Sequence, residues 1–380
     1  MKNRRLNIWV FIVLLFMTAC SGFRAGSPPK PSEYNIDWDQ SSLEKVSTRN
    51  FNYSGYARAR ELADGNLGFA FEADGSIFFR KKEDGNWKAP VLVAERQEGI
   101  GMAVPDFTVL ENGDILLGYN PKPRRNRPEK HFAIRTVRST DNGQSWEEDQ
   151  LVYEAGTSFE NGCWEPVFLQ LPDGSIQLYF ADEGVFTESN EQRIAMIKSM
   201  DGGHSWTKEA ETISFRKGSR DGMPVPIALD NGKKIAMAIE DNGFGPFKPY
   251  IIHNEGMHWD STVGADSPMR KYALAEEIPQ RDYAGAPYLA ICENGLTLLS
   301  FQWGSKLEDA QMAVAIGDEH AQNFTNHTWP FDLPEGSIGH WNSITVLEDG
   351  SILALTSTNG YSKKGRTEVW MIKGNLLKIN

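Results

Sequence analysis

The sequence predicts an all-β fold of six repeated hairpin units. An apolar run, then Asp-Gly or Asn-Gly, then a second apolar run recurs six times, with successive turns 48, 61, 58, 63 and 55 residues apart. Both dipeptides tolerate the positive φ angles of a type I′ turn, and no long window shows helical periodicity. The six turns are Asp64-Gly65, Asn112-Gly113, Asp173-Gly174, Asn231-Gly232, Asn294-Gly295 and Asp349-Gly350. A hairpin repeated at this period is typical of propeller blades, so we predict a six-bladed β-propeller.

Each unit is predicted to begin as strand, tight turn and strand. In blade three the two apolar runs cover residues 167–171 and 176–180, and Asp74-Gly75 is a later turn inside blade one. The regular repeat indicates one closed domain over residues 33–380. Propellers protect their edges by pairing a terminal strand with the last blade. Residues 43–48 and residues 369–379 are both candidates, and the sequence does not decide between them.

Two segments follow the pattern Ser-x-Asp-x-Gly-x-x-Trp, the Asp-box, at residues 139–146 and 199–206. The Ser and Asp side chains satisfy turn amides, the Gly permits a tight bend, and the Trp packs between blades. Residues 253–259 are a degenerate third copy that keeps Gly256 and Trp259. We expect these segments to be structural and to lie at the rim of the propeller.

The N-terminal segment predicts export and lipidation. Residues 1–19 combine a basic start with an apolar run, and small residues precede Cys20. This resembles a bacterial lipobox with Cys20 as the lipidated residue, although Met17 stands where Leu is usual. Residues 20–32 are rich in Gly, Pro and Ser and are expected to form a flexible tether. The predicted location is the bacterial cell envelope, as a periplasmic or outer-membrane lipoprotein; a plain secretory signal or a simple membrane anchor are the alternatives.

Composition argues against several functions. The formal net charge is −12 and no basic block occurs, so nucleic-acid binding is not expected. Cys163 and Cys292 fall in different predicted blades, so no disulfide is expected between them. The seven histidines are scattered without metal-ligand spacing, and we predict no metal and no cofactor. A monomer is expected.

The chemistry is predicted to lie on the propeller axis. The first strand of each blade starts, and the second ends, at one face near the axis, so polar residues there ring a common pocket. This ring is rich in carboxylates, arginines and tryptophans. Aromatic faces stack on sugar rings, and carboxylates with Arg bind hydroxyl groups, so the predicted partner is an oligosaccharide or polysaccharide.

Two glutamates fit glycosidic cleavage. One carboxyl group must protonate the leaving oxygen, and the other must stay ionised. Glu165 lies between Trp164 and Pro166, an apolar setting that favours the protonated form. Glu240 ends the apolar run 235–239, in the neighbouring blade.

Several segments resemble the signature segments of glycoside hydrolase family 93. They are Glu-Asn-Gly-Cys-Trp-Glu-Pro at 160–166, Ser-Arg-Asp-Gly-Met-Pro at 219–224, Ala-Gly-Ala-Pro-Tyr at 284–288, Ser-Phe-Gln at 300–302 and Trp-Asn-Ser at 341–343. That family comprises six-bladed propellers that are retaining exo-α-1,5-L-arabinanases. The resemblance implies that Glu165 is the general acid/base and Glu240 the nucleophile.

The resemblance also implies residues that shape the sugar-binding pocket, namely Arg58, Asp106, Arg220, Asp221 and Asn342. Their axial position adds Trp164, Tyr288, Gln302, Trp303 and Trp341 to the predicted substrate-binding set.

Two other functions remain open. Arg58, Arg220 and Arg281 could form the arginine cluster with which a sialidase holds a sialate carboxylate. A sialidase also needs a tyrosine nucleophile in blade six, where this chain has His340, Trp341 and Asn342. The third possibility is a surface glycan-binding propeller without catalysis, since a fold alone never establishes activity.

Overall fold

The computed structural model describes residues 28–124 and 129–379. Within them, six antiparallel sheets stand in a ring, which confirms the predicted six-bladed β-propeller. The predicted signal segment 1–19, Cys20 and residues 21–27 of the predicted tether lie outside the described residues. No helix in the described part of the chain is both long and apolar enough to cross a bilayer.

Each blade extends from an innermost strand at the axis to an outermost strand at the rim. Blade one contains, in that order, Ser54–Glu61, Leu67–Ala73, Ser76–Glu83 and the short outer strands Asn86–Trp87 and Val91–Ala94. Blade two contains Ile100–Val109, Ile115–Pro123, Ala133–Ser139 and Gln150–Glu154. Blade three contains Cys163–Gln170, Ile176–Asp182, Arg193–Ser199 and Glu211–Ser214. Blade four contains Asp221–Leu229, Lys234–Asp241, Lys248–Asn254 and Arg270–Tyr272.

Blade five contains Tyr283–Ile291, Thr297–Gly304, Gln311–Gly317 and Thr325–Thr328. Blade six contains His340–Val346, Ile352–Thr358, Glu368–Lys378 and, as its outermost strand, Tyr34–Lys45. The only helical segments among the described residues are three 3-10 turns, Pro31–Glu33, Phe159–Asn161 and Leu307–Asp309.

The six repeated turns all connect the first strand of a blade to its second. Their glycines have φ between 76° and 87°, which a side chain at that position would resist. The turn therefore sits at the same end of every blade, which we call the hairpin face. The first strands begin, and the second strands end, at the opposite end, which we call the axial-site face.

Both terminal segments take part in closing the ring. Tyr34–Lys45 pairs antiparallel with Glu368–Lys378, with Tyr34 opposite Lys378 and Lys45 opposite Trp370. The chain thus enters blade six at the hairpin face and reaches the axial-site face at Lys45. Ile36 is buried in the core, and the Trp38 indole N–H donates to Thr328 of blade five at 2.9 Å. The N-terminal strand therefore fastens blade six to blade five.

The Ser-x-Asp-x-Gly-x-x-Trp segments form turns at the hairpin face. In the first, the Gly143 N–H donates to Ser139 Oγ at 2.9 Å, and the Ser145 N–H donates to the Asp141 carboxylate at 2.9 Å. Trp146 of this blade packs edge-on against Phe79 of blade one at 5.3 Å. These contacts stabilise the rim and join neighbouring blades, far from the axial ends of the first strands.

The two cysteines within the propeller are free and buried, in separate parts of the core. Cys163 lies in the core between blades two and three, and Cys292 lies in the core around blade five. The expectation that they form no disulfide is confirmed.

Removing the N-terminal strand tests the closure of the ring. Deletion through residue 45 leaves the Glu368–Lys378 edge unpaired, and we expect the free energy of unfolding to fall by about 4 kcal/mol or more, since each lost hydrogen bond costs about 1 kcal/mol. Thermal unfolding followed by circular dichroism measures this. Deletion only through residue 30 keeps the strand and should leave the melting temperature unchanged. Equal melting temperatures for both deletions would contradict the proposed role.

Candidate active site

Every first strand carries one bulge close to its start, and the six bulges surround the axis. In each blade the pairing register shifts at this point, and one residue adopts a left-handed backbone with φ between 49° and 56°. These bulge residues are Tyr56, Val104, Glu165, Met223, Ala286 and Trp341. In blades two to five a proline follows, at a point in the strand where it removes no needed amide donor. The bulge explains why the first strand of blade three begins at Cys163, before the predicted start at residue 167.

The bulge residues form a ring of side chains on the axis. Tyr56, Val104, Met223 and Ala286 are buried against one another, with Trp341 packed on them. The Tyr56 and Trp341 rings stack with centroids 4.5 Å apart. Glu165 is the sixth member, so one carboxylate interrupts an otherwise apolar ring.

A second equivalent position lies on the second strand of each blade. It pairs with the residue just before the bulge and is occupied by Glu72, Asn120, Ala181, Glu240, Gln302 and Ser357. Except for Ala181, each of these side chains accepts the backbone N–H of the next blade's bulge residue. Glu240 does so with the Ala286 N–H at 2.8 Å. Glu240 is therefore a structural link between blades four and five as well as a candidate for chemistry.

Blade three breaks this pattern, and Glu165 takes over the missing role. Because Ala181 has no acceptor, the Met223 N–H is left to Glu165, whose Oε2 lies 3.4 Å from it. A Cβ added at Gly222, the preceding residue, would lie 3.1 Å from Glu240 Oε1. Both carboxyl groups therefore lie close to the peptide that joins residues 222 and 223. The sequence prediction had them in neighbouring blades, and the fold brings them to one site.

Burial and mutual repulsion set the protonation of the pair. Burial raises the pKa of Glu165 to about 7, opposed by the Lys122 ammonium and the Met223 amide. Burial also raises the pKa of Glu240 to about 8, and the negative charge of Glu165 adds to this rise. Because their charges interact, the two carboxyl groups titrate as a unit, and the pair holds about one proton between about pH 7 and about pH 8. A proton donor and an ionised carboxylate are then available together.

Cations and aromatic rings border the pair. The Lys122 ammonium lies 5.3 Å from the Trp164 ring and 5.8 Å from the Tyr56 ring. Arg220 forms an ion pair with Glu183, and its positive charge lowers the pKa of both Glu165 and Glu240. Three of the predicted binding residues, Trp164, Arg220 and Trp341, therefore lie beside the candidate catalytic pair.

Three residues around the pair were not predicted from the sequence. Lys122 lies at the axial-site end of the second strand in blade two. Gln192 reaches Gly222, where an added Cβ would lie 3.1 Å from its Oε1. Tyr283 begins the first strand of blade five, and its hydroxyl covers Gly285 beside Glu240. Tyr53 and Gly55 repeat this arrangement in blade one, so the pattern Tyr-x-Gly before a first strand was a signal that could have identified Tyr283.

Arg58, Asp106 and Tyr288 contact one another and do not border the carboxyl pair. They lie one layer further along the axis than the bulge residues. Each lies two residues after a bulge. The Tyr288 hydroxyl donates to Asp106 at 3.0 Å, and the Arg58 guanidinium lies 4.8 Å from the centre of the Tyr288 ring. Arg60 completes the cluster with a 3.2 Å ion pair to Asp106. All but Arg60 are buried, so this cluster closes the channel beneath the ring.

Four other predicted binding residues lie apart from the pair or make internal contacts. The Asp221 carboxylate is fully buried, and it binds Arg270 of the same blade and Ser214 of blade three. Gln302 holds the Trp341 amide, and the Asn342 amide donates to the Gly339 carbonyl at 3.0 Å. Trp303 stacks on Trp329 at 5.8 Å, towards the outside of blade five.

The arginine cluster expected for a sialidase does not form. The Arg281 side chain is 91% exposed, and in the described part of the chain its ion pair is with the neighbouring Asp282. Arg58 is buried beneath the ring, whereas Arg220 is paired with Glu183. The expectation that these three arginines meet on the axis is therefore wrong. Among the described residues, no group of three His, Cys, Asp or Glu side chains is arranged to hold a metal ion.

Comparison with known proteins identifies the fold. No protein-family model matches the chain, and no curated protein sequence matches it. Among solved structures, the chain is similar to a family GH93 α-L-arabinofuranosidase of Fusarium graminearum in complex with arabinobiose, with 18% identity, a TM-score of 0.66 and coverage of 89% of this chain and 97% of that one. An α-L-arabinanase of Penicillium chrysogenum with arabinobiose has 17% identity, a TM-score of 0.61 and coverage of 92% and 99%.

The NanB sialidase of Streptococcus pneumoniae is also similar, with 12% identity, a TM-score of 0.63 and coverage of 89% of this chain and 71% of that one. This chain shares the propeller fold of these three proteins. The fold implied by the sequence resemblance is thereby confirmed. At such low sequence identities the structural similarity shows the fold alone and does not show the activity.

The partly buried pair predicts a pH-dependent stability cost. Ionising a carboxyl group whose folded-state pKa is raised destabilises the folded protein as the pH rises above the ordinary value near 4.5. Glu240→Gln removes that charge and keeps an oxygen for the Ala286 amide. We expect this variant to be more stable than the unmodified protein at pH 8, on the order of 3 kcal/mol. Chemical denaturation of the variant and the unmodified protein at pH 8 and at pH 4.5 measures this. The variant's advantage should be absent at pH 4.5, and equal stability of the two proteins at pH 8 would contradict the raised pKa.

Proposed function

We propose that the protein is a glycoside hydrolase that uses Glu165 and Glu240 to cleave a glycan. The observation that supports this best is the carboxyl pair itself. Two partly exposed glutamates lie at one peptide at the axial end of the propeller and share about one proton. The partly exposed Trp341 and the cation Arg220 add an aromatic ring and a hydrogen-bond donor of the kinds that line ligand sites.

The proposed roles follow the chemistry at each carboxyl group. Glu165 protonates the leaving oxygen while Glu240 attacks the anomeric carbon and forms a covalent glycosyl-enzyme. The leaving group departs with the proton. Glu165, now ionised, then takes a proton from water as the water attacks the anomeric carbon and releases Glu240. Both glutamates return to their starting states, and the anomeric configuration is retained.

The pair must redistribute its proton when the sugar binds. In the free protein burial raises the pKa of both glutamates, to about 7 for Glu165 and about 8 for Glu240, so the proton is shared between them. Positive charge develops on that carbon in the transition state, so binding there favours ionised Glu240 and moves the proton to Glu165.

The finer proposal is a retaining, exo-acting α-L-arabinanase on arabinan-type glycans. It is supported by the sequence segments around Glu165, Arg220, Tyr288, Gln302 and Trp341, and by the fold shared with proteins named as arabinofuranosidase and arabinanase. We further propose that the protein acts as a monomer anchored to the bacterial cell envelope through a lipid on Cys20.

Hydrolysis of linear α-1,5-arabino-oligosaccharides tests the activity. The expected product is arabinobiose, sized by mass spectrometry, and Glu165→Gln or Glu240→Gln should lower its release by at least about 100-fold. Glu72→Gln is the matched control, because Glu72 occupies in blade one the position of Glu240 in blade four and accepts the equivalent amide. It should keep most of the activity.

The two glutamates can be told apart with an activated substrate. A nitrophenyl arabinoside has a leaving group that needs no protonation, so Glu165→Gln should retain its first step as a burst of nitrophenol. Glu240→Gln should show no burst, because no covalent intermediate forms. The reverse result would exchange the two roles. Binding of oligosaccharides without hydrolysis of any would favour the non-catalytic glycan-binding propeller, and hydrolysis of a sialoside would favour a sialidase.

The pH profile provides a further test. Activity requires one proton on the pair, so kcat/KM should fall below about pH 7, where both carboxyl groups become protonated, and above about pH 8, where both ionise. We therefore expect a bell-shaped profile in the neutral to slightly alkaline range. A maximum near pH 4, as for two ordinary exposed carboxyl groups, would contradict the protonation proposed for the pair.

A further inference from the structure

A basic cleft lies on blade six, away from the axial pair. It encloses about 620 Å³, a size typical of small-ligand sites, and its lining includes the cations Lys45, Arg49, Lys363, Lys364 and Arg366. Glu368 is the only acidic residue in the lining, and it is paired with Lys45 at 3.0 Å. Such a concentration of positive charge contrasts with the net charge of −12 of the whole chain.

Most of this charge is unpaired. Arg49, Lys363 and Lys364 are exposed, and within residues 28–124 and 129–379 no carboxylate lies at ion-pair distance from any of them. Arg366 is held by a 3.2 Å hydrogen bond from its guanidinium to the Phe51 carbonyl, which fixes one cation in place. Like charges crowded in a cleft repel one another, so an anionic ligand would relieve a cost that the free protein carries.

The cleft also has an aromatic wall. Tyr361 and Trp370 line it, and their rings pack against each other at 5.0 Å. Aromatic faces stack on sugar rings, and cations bind carboxylate groups. The combination fits a sugar that carries a negative charge.

The cleft opens at the same face as the axial pair. Residues 359–367 follow the second strand of blade six, whose Ser357 accepts the Tyr56 amide in the axial ring. Arg49 lies in the connection that leads into the first strand of blade one. A chain bound at the axis can therefore extend outwards over blade six into the cleft. Tyr34, where the N-terminal strand begins, lies at the opposite face, so a tether preceding it starts away from the cleft.

We propose that this cleft binds the anionic groups of an acidic glycan and so extends the substrate site of the axial pair to chains that carry uronate sugars. The proposal rests on the proposed glycan substrate, but it concerns binding and does not require hydrolysis. Direct binding measurements therefore separate its failure from a failure of the proposed activity.

The test is titration calorimetry with a galacturonate oligosaccharide and with its methyl ester, which is the same sugar without the charge. We expect the acid form to bind, more weakly as salt is added, and the ester to bind at least tenfold more weakly. Lys363→Ala with Lys364→Ala should weaken binding of the acid form roughly tenfold. The matched control is Lys208→Ala with Lys233→Ala, which removes equal charge from exposed positions at the hairpin face and should leave binding unchanged.

Three results would overturn the proposal. Equal binding of acid and ester would exclude charge recognition, and equal loss in both double variants would reduce the effect to net charge. Sedimentation with phosphatidylserine vesicles that depends on Lys363 and Lys364, without binding of galacturonate, would assign the cleft to a membrane surface instead.

Discussion

The bulge at the start of each first strand is the constraint on which the site depends. It turns one residue per blade into a left-handed conformation and directs six side chains to the axis. Such a conformation is unfavourable for a residue with a side chain, so it needs support. That support comes from the preceding blade, whose second strand supplies an acceptor for the bulge amide in five cases. The same hydrogen bond thus links neighbouring blades and fixes the geometry at the axis.

The candidate chemistry arises where this repeated arrangement changes. Blade three has a carboxylate at the bulge and Ala181 where an acceptor is usual, so Glu165 both faces the axis and accepts the amide of blade four. Blade four places Glu240 at the acceptor position, and Gly222 and Gly285 leave room for its carboxylate. Two acids are therefore held close together by bonds that also hold the blades. Burial raises the pKa values of both carboxyl groups, although the amides that hold them lower these values, and the pair shares a proton.

Charge is distributed in layers along and around the axis. The acidic pair lies at the axial-site face, and the cluster of Arg58, Arg60, Asp106 and Tyr288, of which all but Arg60 are buried, lies beneath it. This cluster carries more positive than negative groups. The basic cleft of blade six lies at the same face as the acidic pair, further from the axis. An otherwise acidic molecule thus presents a local positive surface where a long chain leaving the axis would pass.

The sequence alone determined the number of blades and the position of every first hairpin, because Asp-Gly and Asn-Gly turns and apolar runs are local signals. It also predicted Glu165 and Glu240 as the candidate catalytic pair. It could not show that Asp221 would be neutralised by Arg270, or that Arg58, Asp106 and Tyr288 would bind one another, since those partners lie in distant parts of the chain. Nor could it choose the closing strand, because both terminal segments were compatible with the outer edge. The tertiary structure decided these points, because the ring sets which blade supplies the partner for each buried polar group.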